Sequence, residues 1–204
     1  MKTQSIKPLF SILFISAFAF LIAGCGVGEK RTLSKAVSEQ KVGRHAEAIV
    51  LYSRIAVKPR LRNFLTQPVK NDFCLYYGDP DFRLKHHDIP AESYKAAAKS
   101  CIIFANRYPD LSDSGRIQYL SALMLMELND YSPATSAFID AKQSGILKIR
   151  KDETRQETVS RCRTLYANMA RAYSKLGQNN VSSTMSDKVK NECPRIGTGA
   201  KPGK

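Results

Sequence analysis

From Glu29 onward, apolar residues recur at three- and four-residue spacing and alternating runs are nearly absent. That period belongs to amphipathic helices, not strands. The clearest stretch runs from Ser114 to Gly145. Ile117, Leu120, Ala122, Leu125 and Leu128 mark one helix, and Asn129-Asp130-Tyr131 predicts a turn. Ser132 is placed to cap the next helix, with Pro133 in its first turn, where a missing N–H costs nothing. Ala134, Ala137, Phe138 and Ala141 continue that helix until Gly145 stops it. A second pair starts near Thr154: Tyr166, Met169, Ala170, Tyr173 and Leu176 share a face, Gly177-Gln178 turns, and Val181, Met185 and Val189 follow before Pro194. An earlier pair shows Ala36, a turn at Gly43-Arg44-His45, then Ala48, Tyr52 and Pro59. Ala91 to Tyr108, with Tyr94, Ala97, Cys101, Phe104 and then Pro109, is the second helix of a further pair. The pattern predicts an all-α domain over 34–193. Two segments break it. Residues 60–90, with Pro68, Phe73, Tyr76, Tyr77, Pro80, Phe82 and Pro90, are expected to be an irregular insertion, and 194–204, rich in Gly, Pro and basic residues, a mobile basic tail.

The recurring landmarks are a small residue in the first helix, a turn with Gly, Asn or Asp, then a small residue and an aromatic in the second helix. They resemble the tetratricopeptide repeat, a helix-turn-helix unit of about 34 residues, over about 130 residues of this chain. The stretch from Tyr94 through Tyr108-Pro109 to Tyr131, Ala134 and Phe138 is similar to the repeats of the outer-membrane lipoprotein that serves the barrel-assembly machinery. The chain departs from the pattern where His45 replaces the usual Tyr, and where Ser182 and Ser186 replace a small and an aromatic residue. The resemblance implies antiparallel hairpins stacked into a short superhelix, and a protein that binds others on its concave face rather than an enzyme. Polar positions on first helices, Gln118 and Glu127, are then the partner-facing candidates.

The first residues carry a different pattern. Lys2 and Lys7 precede an apolar run from Leu9 to Ala23, interrupted by Ser11 and Ser16. The run is short for a membrane span of about 20 residues and reads as the core of an export signal. Leu21-Ile22-Ala23-Gly24-Cys25 resembles the lipobox of bacterial lipoproteins, in which a branched apolar residue and two small ones precede the acylated cysteine. The expectation is a signal over 1–24, lipidation (palmitate among the acyl groups) at Cys25, and an anchored linker over 25–33. Two or three acyl chains hold a protein firmly, where one holds it marginally. Gly26 stands where an aspartate favours retention in the inner membrane, so the resemblance implies the outer membrane, facing the periplasm.

Charge and cysteines sharpen this picture. The 204 residues hold 32 Lys and Arg against 18 Asp and Glu; without Lys2 and Lys7 the balance is 30 to 18, or +12. Such a field favours anionic partners, whether headgroups, wall polymers, nucleic acid or an acidic protein face, and its sign alone does not choose among them. Lys58, Arg60, Arg62, Lys70, Lys148, Arg150, Lys151, Arg161 and Arg163 sit mainly at helix ends and connections, without the interleaved aromatics of a nucleic-acid module. After Cys25 four cysteines remain, Cys74, Cys101, Cys162 and Cys193, an even number suited to disulfides in an exported chain. Cys162 and Cys193 are equally far from the turn at Gly177-Gln178. Antiparallel arms rise equally, at about 1.5 Å per residue, so the two lie level and are expected to pair. Cys74 then pairs with Cys101 by elimination.

Asp79, Asp81, His86, His87 and Asp88 are the one concentration of residue types that ligate metals or transfer protons. Their spacing matches no helical zinc motif, and a solvated linker is the plain reading. No nucleophile elbow, phosphate loop or dinucleotide fingerprint is present, so no cofactor is expected. Taken together, the residues predict a lipid-anchored, periplasmic protein-binding scaffold. The alternatives are a metal-binding enzyme or sensor built on residues 79–88, and a surface adhesion or DNA-uptake component using the basic field.

Overall fold

In the computed structural model, residues 28, 31–56, 67–149 and 153–196 are described, and among them the protein is all-helical, without strands. The helices are α1 (31–41), α2 (His45–Ala56), α3 (Gln67–Gly78), α4 (Pro80–Lys85), α5 (Ala91–Arg107), α6 (Ser114–Glu127), α7 (Tyr131–Gln143), α8 (Arg155–Lys175) and α9 (Asn179–Asn191), followed by a 3-10 turn, Cys193–Arg195. Residues 1–24, Cys25 and the connection bearing Lys58, Arg60 and Arg62 lie outside the described residues, as do Arg150, Lys151 and 197–204.

Local chemistry sets the boundaries. Thr154 caps α8 through a reciprocal box: its hydroxyl accepts from the Glu157 N–H, and the Glu157 carboxylate accepts from the Thr154 N–H. At the other end of α8, Gly177 takes φ +74, a conformation that side chains strain to adopt, and the chain reverses into α9. Ser132 does not cap α7. Asn129 adopts φ 58, the Asp130 N–H returns to the Leu125 carbonyl, and α7 begins at Tyr131, so Ser132 lies inside the helix and its carbonyl accepts from Thr135 Oγ1.

Helices pack on near neighbours in the chain: α2 on α5, α3 on α5 and α6, α5 on α6, α6 on α7, α7 on α8, and α8 on α9. One apolar cluster threads them all, including Ala36 and Ile49, then Phe73 and Tyr77, Phe104, Leu125 and Phe138, and Leu165 and Tyr166. Small residues set the closest approaches. A Cβ on Gly115 would meet the Ala141 and Ser144 carbonyl oxygens and the Ile146 nitrogen at 3.1 Å each, so the start of α6 sits directly against the turn after α7. Ala122 and Ala134 are fully buried where α6 and α7 pack. Ala134→Leu is expected to overpack this contact and lower stability by about 1 to 3 kcal/mol. An unchanged melting temperature would show that the contact has slack.

Disulfides join Cys74 to Cys101, between α3 and α5, and Cys162 to Cys193, between α8 and the 3-10 turn, each with Cα atoms 5.6 Å apart. The second is the bond expected from equal distance to the Gly177 turn. Pro194 to Ile196, expected to belong to a mobile tail, is instead fastened to the start of α8: Arg155 donates to the Pro194 and Ile196 carbonyls at 2.8 and 2.7 Å.

The expected irregular insertion is corrected over 67–85, where α3 and α4 form. Asp79 accepts from the Asp81 and Phe82 N–H groups, and Pro80 opens α4 as a first-turn residue. Arg83, almost fully buried, clamps α4 in place, donating to the Gly78 carbonyl at 2.7 Å and to both Glu127 carboxylate oxygens at 2.9 and 2.7 Å.

Candidate functional site

Helices α1, α2, α3 and α6 line an open groove of about 710 Å³, together with Asp79 at the start of α4. Its apolar wall comes from Val37 on α1 and from Leu75 and Tyr76 on α3. Tyr52 and Phe73 form the floor, their rings stacked with centroids 4.8 Å apart, and the Tyr52 hydroxyl donates to Gln40 Oε1 at 2.8 Å. Burial raises the Tyr52 pKa, so the hydroxyl stays protonated as that donor. Tyr76 is 42% exposed and rests on Phe82 and Tyr77, which hold its ring in place while one side faces the groove. Lys41, Asp72 and Arg116 bring both charge signs, and none of the three is ion-paired among the described residues. The lining thus sets an aromatic shelf beside charges of both signs that are not ion-paired among the described residues.

The sequence candidates lie elsewhere. Gln118 is 2% exposed, its Nε2 donates to Asn106 Oδ1 at 2.6 Å, and it lines a separate cleft of about 420 Å³ with Asn106, Asp140 and Lys148. Glu127 is committed to Arg83. Arg116, two positions before Gln118 and so about 200° around the helix, is the α6 residue that reaches the groove.

The acidic and histidine residues of 79–88 are dispersed by the fold. Asp79 is a helix cap, while Asp81, His87 and Asp88 are exposed. His86 stacks on Phe82, with ring centroids 4.3 Å apart. No group of three His, Cys, Asp or Glu among the described residues is placed to hold a metal ion. His86 instead meets His45 from α2, ring centroids 4.5 Å apart, beside Phe82 and the Tyr77 hydroxyl, which lies 3.3 Å from His45 Nδ1. No local pattern links residues 45 and 86, so only the fold reveals this nest.

Burial, and then the neighbouring His86, lower the His45 pKa below 6.5, against a smaller opposing pull from Asp88. The unfolded chain therefore takes up this proton more readily than the folded one. The stability involved is fully present above pH 6.5 and is lost as pH falls through the lowered folded value. His45→Phe is expected to flatten this part of the profile between about pH 7.5 and 5.5. Melting temperatures of the two proteins with identical slopes across that range would contradict it.

Among the described residues no helix is long and apolar enough to cross a membrane. No protein-family model, curated protein or solved structure matches the chain.

Proposed function

We propose that this protein is a lipid-anchored scaffold of the bacterial cell envelope, with tetratricopeptide-like hairpins stacked in a short superhelix and a protein or peptide partner held in the groove of α1, α3 and α6. The pairs are α1 with α2, α3 with α5, α6 with α7, and α8 with α9. The observation that carries the reading is that α1, α3 and α6, the helices assigned here as first members of three pairs, line one groove with Tyr52 of α2, presenting an exposed aromatic and charges of both signs that are not ion-paired among the described residues. The anchor is supported by Leu21-Ile22-Ala23-Gly24-Cys25 behind a short apolar run, and Gly26 favours the outer membrane facing the periplasm. Two disulfides suit an oxidising compartment.

Affinity purification from detergent-solubilised membranes tests the binding role. A specific partner is expected with the wild type and is expected to be lost, by tenfold or more, with Tyr76→Ala combined with Arg116→Glu, because aromatic and Arg anchors dominate interfaces. The folded double variant retaining its partner would overturn the groove assignment. Cys25→Ser is expected to abolish palmitate labelling and leave a precursor or mislocalised chain; equal labelling of wild type and variant would overturn the anchor.

A further inference from the structure

We propose that the anchor-proximal end of the α1–α2 pair is a docking surface for anionic phospholipid headgroups, which holds the domain end-on to the bilayer. The inference rests on the anchor at Cys25. Gly28 is already helical, and Thr32 Oγ1 donates to its carbonyl at 2.8 Å. Only three residue steps separate Gly28 from Cys25, a reach of about 11 Å at most. The start of α1 is therefore tied close to the headgroups.

From that point α1 leads away, the chain turns through Val42, Gly43 and Arg44, and α2 returns. Arg31 and Lys35 at the start of α1 thus share an end with Arg54 in the last turn of α2. Lys35 and Arg54 line one cleft of about 510 Å³. All three cations are exposed, none is ion-paired among the described residues, and 31–35 and 51–56 contain no carboxylate. The acids of that cleft, Glu39 and Glu47, lie toward the turn, where Glu39 pairs with Arg44 at 2.6 Å.

Distance decides which charges count. The field of an anionic surface decays over about 8 Å at physiological ionic strength. The 11 residues of α1 rise about 16 Å, so in the end-on orientation Arg44 at the turn stands about two such lengths further out than Arg31. Each near-surface cation strengthens binding about fivefold, so Arg31, Lys35 and Arg54 together supply about a hundredfold. The α1 residues of the partner groove, Val37, Gln40 and Lys41, lie in the distal half of the helix, so end-on docking leaves the groove open.

The test uses the mature chain, residues 25–204, carrying Cys25→Ser and exported behind a cleavable signal of the ordinary secretory kind, so that neither the apolar run nor an acyl chain remains, in co-sedimentation with vesicles. We expect binding to phosphatidylcholine vesicles containing phosphatidylglycerol, weakening as salt rises, and little binding to phosphatidylcholine alone. Lys35→Glu with Arg54→Glu should weaken binding at least tenfold. Arg171→Glu with Lys175→Glu, the same charge change on α8 in the last pair of the chain, should change it less than twofold. Equal weakening by the two double variants, equal binding to both vesicle types, or binding of soluble polyphosphate without vesicle binding would overturn the proposal. Palmitate labelling reads the anchor separately, so the two failures are distinguishable.

Discussion

Replacing Cys162 and Cys193 with alanine should cost about 3 to 4 kcal/mol, the chain-entropy value for a closed loop of this length. The bond spans 31 residues and fastens the 3-10 turn to α8. The local effect should exceed the global one, because α9 has no fully buried residue of its own. Met185 and Val189 reach the core only in part. What else holds the segment is polar: Ser182 Oγ donates to the Ala170 carbonyl at 2.8 Å, the Tyr166 hydroxyl bonds the Glu192 carboxylate, and Arg155 holds the Pro194 and Ile196 carbonyls. Urea unfolding measures the loss, and hydrogen exchange locates it. Protection should collapse over 179–196 while α5 and α6 retain theirs. An unchanged midpoint with intact protection in α9 would mean that the polar contacts suffice without the bond.

A loss of comparable size, about 3 to 5 kcal/mol, is expected for Phe138→Ala. Phe138 is fully buried on α7 and meets Tyr119 of α6 with ring centroids 5.9 Å apart. The side chains that flank this contact along the two helices, Ala122, Ala134 and Ala137, are already small and cannot collapse into the vacated space. Ile139, the next residue and 37% exposed, is the control: Ile139→Ala should shift stability by no more than about 0.5 kcal/mol. Denaturant midpoints at constant slope measure both, and equal shifts would place the α6–α7 contact on the wrong face of α7.

The parts of the fold that were readable along the chain are those written in local signals. Thr154 and Glu157 stand three apart as a capping box, Gly145 and Gly177 take positive φ where helices end, and apolar residues repeat with helical period in α5 to α8. Equal distance from the Gly177 turn was enough to place the Cys162–Cys193 bond. The proline, aspartate and aromatic content of residues 67–85 reads as a loop, although α3 and α4 form there. The contrary signals were present: Asp79-Pro80 is a helix start, and Phe73 and Tyr77, four apart, form a buried face. The groove was harder to read. Choosing Arg116 over Gln118 requires the rotational phase of α6, which is buried over most of its circumference and so has little amphipathic contrast. The Arg83–Glu127 clamp and the His45–His86 contact join residues 44 and 41 positions apart, and no repeat or spacing rule specifies either.

Site-specific photo-crosslinking in intact cells tests the groove most directly. A photoreactive residue is placed at Tyr76 inside the groove or at Ile103 on α5, which is 43% exposed and outside it. One discrete membrane-associated adduct is expected from Tyr76, abolished by Arg116→Glu, and none from Ile103. Adducts of equal yield from both positions, or a Tyr76 adduct indifferent to Arg116→Glu, would contradict it.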